Sequence, residues 1–190
     1  MKKFPETFPV LETERLILRS IEDSDVTRLA ELANDPDISR GLSSMPYPYT
    51  LDAAKEWGVK CRQDYLDNAV LHMVISDKSD KTFMGMVDLD MCHAHNHATA
   101  GYWIAKPYWS QGYVPEALRA VMQFAFESLE VHRINAVHFH TNPASGRVLQ
   151  KVGMLHEGIR RQHFLKNGYY YDLHDWGILR EEFLELTENS

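Results

Sequence analysis

The chain has 190 residues, of which 44% are hydrophobic and 25% are charged, and its formal net charge is −7. This length and apolar content suit one domain with one core. The acidic balance argues against direct nucleic-acid binding, in which lysine and arginine neutralise phosphates. No apolar run approaches the roughly 18 residues of a membrane span, so we expect no membrane partner.

The predicted organisation is a lead-in over residues 1–9 followed by a single domain over residues 10–187. Cys61 and Cys92 lie far apart in the sequence, and no signal-peptide pattern precedes them. Because cytosolic cysteines remain reduced, we expect free thiols and a cytoplasmic location.

Periodicity and capping residues predict the first half of the chain. Residues 15–19 read as a strand. Asp23 or Ser24 is the expected cap of the helix that follows, and Thr50 is the expected cap of a second helix. Three strands come next, over residues 70–76, 83–91 and 99–105.

A histidine-rich tip joins the last two of these strands. His93, His95 and His97 alternate there, and histidine is a common metal ligand. No cysteine or carboxylate completes a ligand set in the local sequence, and alternating histidines at an exposed tip are typical of a solvated surface. We therefore predict no metal site.

A turn over residues 109–114 follows a strand that is expected to end at Trp109. Pro115 suits the first turn of a helix, and an apolar stripe extends that helix to about Glu130. Its first amides are free to bind a pyrophosphate, and Gly112 would let a ligand approach the backbone. The same arrangement also connects many α/β units that bind no ligand.

A second strand and helix follow, with a strand over 134–141, Asn142 as the helix cap and Gly153 as the left-handed end. Asn167-Gly168 predicts a hairpin between strands over 160–165 and 169–179. The fold class is therefore α/β (α+β), with a mixed, mostly antiparallel sheet of about seven strands and helices on both faces.

These segments resemble the Gcn5-related N-acetyltransferase (GNAT) superfamily and, within it, the Rim-type ribosomal-protein N-terminal acetyltransferases. The resemblance covers nearly the whole chain. It rests on residues 11–19 (LETERLILR), residues 101–104 (GYWI), Asn142-x-x-Ser145, Lys151-x-Gly153, Glu157-Gly158 and Asp172. The phosphate loop departs from the family pattern, since Trp109 and Val114 flank the one glycine that is kept, Gly112.

The resemblance implies an N-acetyltransferase that uses acetyl-CoA, with the two strands at 101–104 and 134–141 splayed apart around the thioester. An amine would attack the thioester directly, in a ternary complex. The cofactor-binding residues implied are Trp103, Ile104, Ser110, Gln111, Gly112, Tyr113, Val114, Asn142, Ser145 and Lys151.

The catalytic residues are less well defined. Ser145 stands where the Rim-type branch keeps a hydroxyl near the cofactor sulfur, although it could simply belong to the first turn of its helix. Thr99 occupies the position of the usual glutamate base and cannot accept the proton. His140 and Asp90 are the favoured bases, with a water chain as an alternative. The full set of candidates is Asp88, Asp90, His138, His140, Glu157 and His163.

The expected acceptor is the N-terminal amine of a ribosomal protein. The alternatives are a small amine, such as a polyamine or an aminoglycoside, and a non-catalytic CoA-binding regulatory module. Segments 35–49 and 166–171 should set acceptor preference, since a peptide needs an open groove and a small amine a closed one. Asp88 and Asp90 would steer a basic acceptor. The aromatic residues at 169–171 and 176 should pack in the sheet or at the seam of a possible homodimer.

Overall fold

A computed structural model describes residues 1–188. The strands are β1 (Leu11–Glu12), β2 (Leu16–Arg19), β3 (Val70–Asp77), β4 (Phe83–Cys92), β5 (His97–Ile104), β6 (Arg133–Phe139), β7 (Leu155–Lys166) and β8 (Tyr169–Leu179). The helices are α1 (Asp25–Ala33), α2 (Pro36–Gly41), α3 (Leu51–Leu66), α4 (Tyr113–Glu127), α5 (Pro143–Lys151) and α6 (Arg180–Glu188).

The strands form one sheet in the order β1-β2-β3-β4-β5-β6-β8-β7. Among the strands of residues 1–188, only β5 and β6 are parallel, and all other neighbours are antiparallel. The predicted fold class is confirmed. Within residues 1–188 the sheet has eight strands instead of about seven, because residues 11–12 form a short additional strand, β1, ahead of the predicted first strand.

Helices cover both faces of the sheet. On one face α1 and α3 pack on a core that includes Leu29, Ala54 and Trp103. On the other, α4, α5 and α6 supply a second core with residues such as Leu118 and Phe183. A strand buried on both sides cannot alternate between apolar and polar residues, and six consecutive residues of β3 are buried accordingly.

A turn at residues 13–15 separates β1 from β2, so the strand predicted over residues 15–19 begins at Leu16. The Thr13 hydroxyl donates to Glu116 Oε1 at 2.6 Å, and the Arg15 amide donates to the same oxygen at 3.0 Å. Glu116 lies in the first turn of α4. The turn is therefore docked on the start of α4, which no local pattern in residues 11–19 indicates.

Several predicted boundaries change for local reasons. Ser24 precedes α1 but makes no capping hydrogen bond through its side chain, and Asp25 instead accepts from the Glu22 amide at 2.8 Å. The chain leaves β5 at Ile104, and residues 106–108 form a 3-10 turn instead of a strand. Helix α4 ends at Glu127, before Glu130, whose φ is 55°.

The second strand-helix unit and the hairpin form as predicted. The Asn142 side chain accepts from the Ser145 amide, and Gly153 follows α5 with a φ of 91°. Asn167 and Gly168 both have positive φ between β7 and β8, as a tight hairpin turn requires. Thr50 caps α3 through the Ala53 amide.

The lead-in is tied to α3 and to the turn after it. The Phe4 amide donates to the Asn68 side chain at 2.7 Å, and the Tyr65 hydroxyl donates to the Pro5 carbonyl at 2.6 Å. The division into a lead-in and one domain stays a prediction. None of the helices within residues 1–188 is both long enough and apolar enough to cross a membrane.

Candidate active site

A cleft of about 1040 Å³ opens where β5 and β6 separate. The two strands are paired from His97 with Arg133 to Ala100 with Ala136. Beyond that point β5 continues alongside β4, and β6 continues alongside β8. The separation confirms the predicted splay and leaves backbone groups of both strands facing the cleft.

The turn before α4 forms one wall of this cleft. Gly112 is the residue before the helix, with a left-handed φ of 83°, and no side chain caps the helix start. Pro115 has no amide hydrogen, so the first free amides belong to Tyr113 and Val114. A negatively charged pyrophosphate suits these amides, and the missing Cβ of Gly112 leaves room for it.

Arg15 holds this turn in place. Its guanidinium donates to the Gln111 carbonyl at 3.0 Å and to Glu116 Oε2 at 2.7 Å. It also lies over the Tyr113 ring, 4.4 Å from the centroid. A Cβ on Gly112 would lie 3.5 Å from Arg15 Nη2, so the turn combines a positive charge with free amides.

The backbone of Ile104 faces the opening. Ala105 donates its amide to Met84 of β4, and backbone groups alternate in direction along a strand. Trp103 therefore points its amide toward β4 and Ile104 points its amide away. The Ile104 carbonyl also points away from β4, since it accepts a hydrogen bond from Trp109 Nε1 at 2.7 Å. Of the two predicted residues, Ile104 thus presents the amide suited to a thioester oxygen.

Ser145 lies in the cleft with a partner that the sequence analysis did not assign. The Tyr102 hydroxyl is 2.8 Å from Ser145 Oγ. Burial raises the pKa of Tyr102, although the Ser145 hydrogen bond acts in the opposite direction. Tyr102 therefore keeps its proton at neutral pH, and the pair forms a protonated hydroxyl chain in the wall of the cleft.

Two carboxylates line the cleft from β4, namely Asp88 and Asp90. Asp90 is the cross-strand partner of Thr99, and Asp88 is the partner of Gly101. Cross-strand Cβ atoms lie about 5 Å apart. Asp90 therefore places a carboxylate beside the position at which Rim-type relatives often have their glutamate.

Asp88 is bonded to a buried histidine. His72 of β3 is 5% exposed, and its Nδ1 lies 2.7 Å from Asp88 Oδ1. Its Nε2 lies 2.9 Å from Asp64 Oδ2 of α3, which also contacts Lys60 Nζ. Burial lowers the pKa of His72, but hydrogen bonds and charge from Asp88 and Asp64 outweigh it, so the net pKa is raised.

His140 does not join these groups. It is exposed, it is not among the residues that line the cleft, and its Nδ1 accepts from the Asp172 amide at 3.2 Å. Strand β6 ends at Phe139, and His140 is directed toward β8 at this point. The structure brings Asp90 and Ser145 to the cleft and leaves His140 outside it.

The remaining candidate bases are engaged by other side chains, and of these residues His138 also lines the cleft. Burial, with smaller effects from neighbouring histidine charges, lowers the pKa of His138 to about 4, and its Nδ1 accepts from Trp176 Nε1 at 3.0 Å. Glu157 is paired with Arg133. His163 Nε2 lies 2.8 Å from an Arg160 guanidinium nitrogen.

The other predicted cofactor residues surround the same opening. The cleft is lined by Trp103, Ile104, Ser110, Gly112, Tyr113, Val114, Asn142, Ser145 and Lys151. Gln111 is outside the lining, and its side chain donates to the Pro107 carbonyl at 2.7 Å. Within residues 1–188, no three histidine, cysteine or acidic side chains are arranged to hold a metal ion. Cys61 and Cys92 are free thiols.

Helix α2 and the β7–β8 hairpin meet over the cleft. Lys166 donates to the Ser39 and Leu42 carbonyls at 2.5 and 2.6 Å. At its other end, α2 is held by Lys106, whose ammonium pairs with Asp35 at 3.2 Å and with Asp37. Helix α2 therefore spans the space between the β5–α4 turn and the hairpin.

Comparison with known proteins identifies the family. Residues 15–155 match the acetyltransferase (GNAT) domain. The chain belongs to this family, and it is an acetyl-CoA-dependent N-acetyltransferase. The splayed strands, the uncapped start of α4 and the hydroxyl pair are the features of this chain that fit that chemistry.

Relatives match the chain over most of its length. YoaA of Bacillus subtilis, named an uncharacterized N-acetyltransferase, is 31% identical over 91% of this chain and 98% of its own. YdaF of Bacillus subtilis, provisionally named a ribosomal N-acetyltransferase, is 30% identical over 90% of this chain and 94% of its own. Spermidine N(1)-acetyltransferase of Vibrio cholerae is 26% identical over 92% and 98%.

Solved structures agree with the fold. Spermidine N-acetyltransferase from Vibrio cholerae, in complex with CoA and spermine, has a TM-score of 0.79 at 25% identity, covering 90% of this chain and 99% of its own. RimL, a ribosomal L7/L12 acetyltransferase in complex with CoA, has a TM-score of 0.83 at 19% identity, covering 90% and 98%. At 19% identity, the similarity to RimL shows a shared fold and no more.

Several residues of the site were assigned no individual role from the sequence, namely Arg15, Asp64, His72, Tyr102, Lys106 and Lys166. His72 carried a usable signal, because a polar residue inside the otherwise apolar run of β3 needs a buried partner. Arg15, Tyr102, Lys106 and Lys166 act across long sequence separations, and Asp64 contacts His72 across the junction of α3 and β3. Their partners follow only from the order and register of the strands.

Proposed function

We propose that the acetyl acceptor is a small cationic molecule with a primary amine, and that a polyamine such as spermidine is the first candidate. The observation that carries this proposal is the contact of Lys166 with Ser39 and Leu42. It joins the two segments expected to set acceptor preference. A joined cover suits a small amine better than a polypeptide, which needs an open groove.

The charge of the cleft supports the same class of acceptor. Asp64, Asp88 and Asp90 line it from α3 and β4, on the face of the sheet where α3 packs. Carboxylates attract ammonium groups and raise their local concentration. A molecule with several amines would gain more from this wall than one with a single amine.

The reaction forms an amide bond and breaks a thioester bond. The free amine attacks the thioester carbonyl, whose oxygen the Ile104 amide is placed to stabilise. The C–S bond then breaks, and the Tyr102–Ser145 pair supplies a proton to the thiolate. The amine loses one proton, for which Asp90 or a water molecule beside it is the acceptor. The products are the acetylated amine and CoA.

A protein N-terminus is the second candidate. YdaF, the relative provisionally named a ribosomal N-acetyltransferase, matches this chain at 30% identity. An α-amine is also a cation below its pKa of about 8, so the acidic wall suits it as well. The cover over the cleft is the feature that ranks it below a small amine.

The test is a comparison of kcat/KM for thiol release with spermidine, an aminoglycoside, and peptides beginning with Ala, Ser or Thr. Mass spectrometry of each product identifies the acetylated nitrogen. We expect spermidine to give the highest kcat/KM. A higher value for a peptide would reverse the order of the two candidates, and no transfer to any amine would overturn the proposal.

A further inference from the structure

The acidic wall of the cleft contains an arrangement that the acetyl-transfer steps above do not use. His72 stands between two carboxylates, with Nδ1 2.7 Å from Asp88 and Nε2 2.9 Å from Asp64. A neutral imidazole has one donor nitrogen, whereas an imidazolium has two. The geometry therefore matches a protonated His72 that donates to both carboxylates.

Only one oxygen of Asp88 is engaged by His72. Oδ1 accepts from the ring, while Oδ2 lies 3.7 Å from the position that a Cβ on Gly101 would occupy. Gly101 lines the cleft and has no side chain to cover that oxygen. The Asp88 side chain is 25% exposed, compared with 5% for His72. Asp88 thus connects a buried cation to the open cleft.

We infer that Asp88 Oδ2 binds the ammonium group of the acceptor, and that His72, held by Asp64, is a positioning residue that controls how much of the Asp88 charge is available to it. This inference rests on the proposed function and specifies how its acceptor is held. The ammonium and the imidazolium compete for the same carboxylate.

Competition between the imidazolium and the ammonium for Asp88 affects their binding in one direction only. Two cations that share one carboxylate weaken each other, and binding free energies are reciprocal. Loss of the His72 proton therefore strengthens ammonium binding, and ammonium binding lowers the pKa of His72. Hydrogen bonds and charge from Asp88 and Asp64 outweigh burial and raise the pKa of free His72, so the change in affinity falls above the ordinary histidine range.

The titratable groups near His72 within residues 1–188 lie on β4 and α3. Strand β4 contributes Asp88 and, two residues further on, Asp90. Helix α3 contributes Asp64, its partner Lys60, and the Cys61 thiol. Burial, aided by the charges of Asp88 and Asp64, raises the pKa of Cys61, so the thiol adds no charge. Strand β5 contributes the uncharged Thr99 and Gly101.

The test measures the KM of spermidine between pH 6 and 9, with the KM of acetyl-CoA measured alongside. Alkyl ammonium groups titrate near 10, so spermidine keeps most of its charge over this range. In the wild type, the spermidine KM should fall by at least about fivefold as the pH rises. In Asp64→Asn the fall should move to lower pH, because one carboxylate that holds the His72 proton is gone.

Two further variants separate positioning from binding. In His72→Gln the spermidine KM should lose its pH dependence and stay near the high-pH value of the wild type. In Asp88→Asn it should be raised at least about fivefold at every pH, with the acetyl-CoA KM unchanged. Asp25→Asn is the matched control, since Asp25 forms a buried ion pair with Arg19 outside the cleft. It should leave the pH profile as it is.

The failures are distinguishable. If spermidine is acetylated but its KM falls at the same pH in the wild type, Asp64→Asn and His72→Gln, the inference alone is wrong. If calorimetry on the CoA complex detects no spermidine binding and no amine is acetylated, the proposed function is wrong and the inference with it. Both the proposed function and the inference are supported if the pH dependence of the spermidine KM moves to lower pH in Asp64→Asn and disappears in His72→Gln.

Discussion

At the scale of single residues, the cleft depends on missing side chains as well as on present ones. Gly112 leaves the first amides of α4 open, and Gly101 leaves Asp88 Oδ2 open. Several polar groups around them are held by a named partner, as Ser145 is by Tyr102. Substitution of one residue can therefore test one half of the reaction at a time.

Gly112→Asp should weaken CoA binding by at least about tenfold, or about 1.4 kcal/mol. The new carboxylate would face the pyrophosphate, and like charges repel. Isothermal titration with CoA measures the change. Gly168→Asp is the control, because Gly168 has a similar φ of 80° and nothing within 4 Å of its Cβ position. Equal affinity in Gly112→Asp and the wild type would remove the assignment of this turn.

Ser145→Ala should keep CoA affinity and lower kcat by about tenfold or more, since proton donation to a leaving group contributes at least that much. Steady-state kinetics and CoA titration separate the two effects. Tyr102→Phe is the companion variant, because it removes the other hydroxyl of the pair. Unchanged kcat in Ser145→Ala would leave Ser145 with a structural role in the first turn of α5.

At the scale of elements, α2 contributes most to the acceptor side, and within residues 1–188 it is one of two helices, with α6, that the sequence did not predict. It has six residues, too few for an apolar stripe to repeat. Its position depends on Lys106 and Lys166, which lie 65 or more residues further along the chain. By contrast, α5 carried a local cap, a proline and a terminal glycine, and its bounds were predicted closely.

Lys166→Met should loosen the cover over the cleft. It removes two hydrogen bonds from a charged donor, each worth about 1.5–3 kcal/mol, while the aliphatic stem is kept. We expect a higher KM for spermidine, an unchanged KM for acetyl-CoA, and a smaller preference for spermidine over peptides. Steady-state kinetics with both acceptors measure this. In the surface control Lys2→Met, which removes a contact with Glu130, neither KM should change.

An unchanged preference in Lys166→Met would contradict the role given to the cover. It would leave the acidic wall as the sole support for a small amine. A gain in peptide kcat/KM would show that the contact between α2 and the hairpin is what restricts the acceptor.

At the scale of the whole molecule, the sheet brings together residues that are distant in sequence. Its general form could be predicted, because each strand and helix has local signals, and the splay followed from the resemblance. The Asp64–His72–Asp88 contact could not, since it needs the register of β3 with β4 and the packing of α3 on both. For the same reason His140 was favoured as a base, although the structure places it outside the cleft.

Two buried histidines should make stability depend on pH in opposite directions. Burial lowers the pKa of His138 to about 4, so the unfolded chain binds more protons between pH 6.5 and 4. Stability is therefore lost as the pH falls through this window, on the order of 2 kcal/mol from His138. Denaturant unfolding of the wild type and His138→Gln should show a difference that grows in favour of the variant on acidification. A constant difference would contradict this assignment.

His72 should act at the other end of the pH range. Asp88 and Asp64 overcome the effect of burial and raise its pKa, so its stabilising contribution is fully present below about pH 6.5. It is lost as the pH rises through the raised folded pKa. The unfolding free energy of the wild type relative to His72→Gln should therefore be largest in mild acid and should shrink at alkaline pH. A difference that grows with pH would argue against a protonated His72.

The central claim is that this cleft transfers the acetyl group of acetyl-CoA directly to a cationic amine. The most direct measurement mixes the protein with acetyl-CoA and spermidine and quantifies CoA and acetylspermidine by mass spectrometry in the same sample. We expect the two products to appear in equal amounts and only when spermidine is present. Release of CoA without acetylspermidine would contradict it, because that result means hydrolysis instead of transfer to the amine.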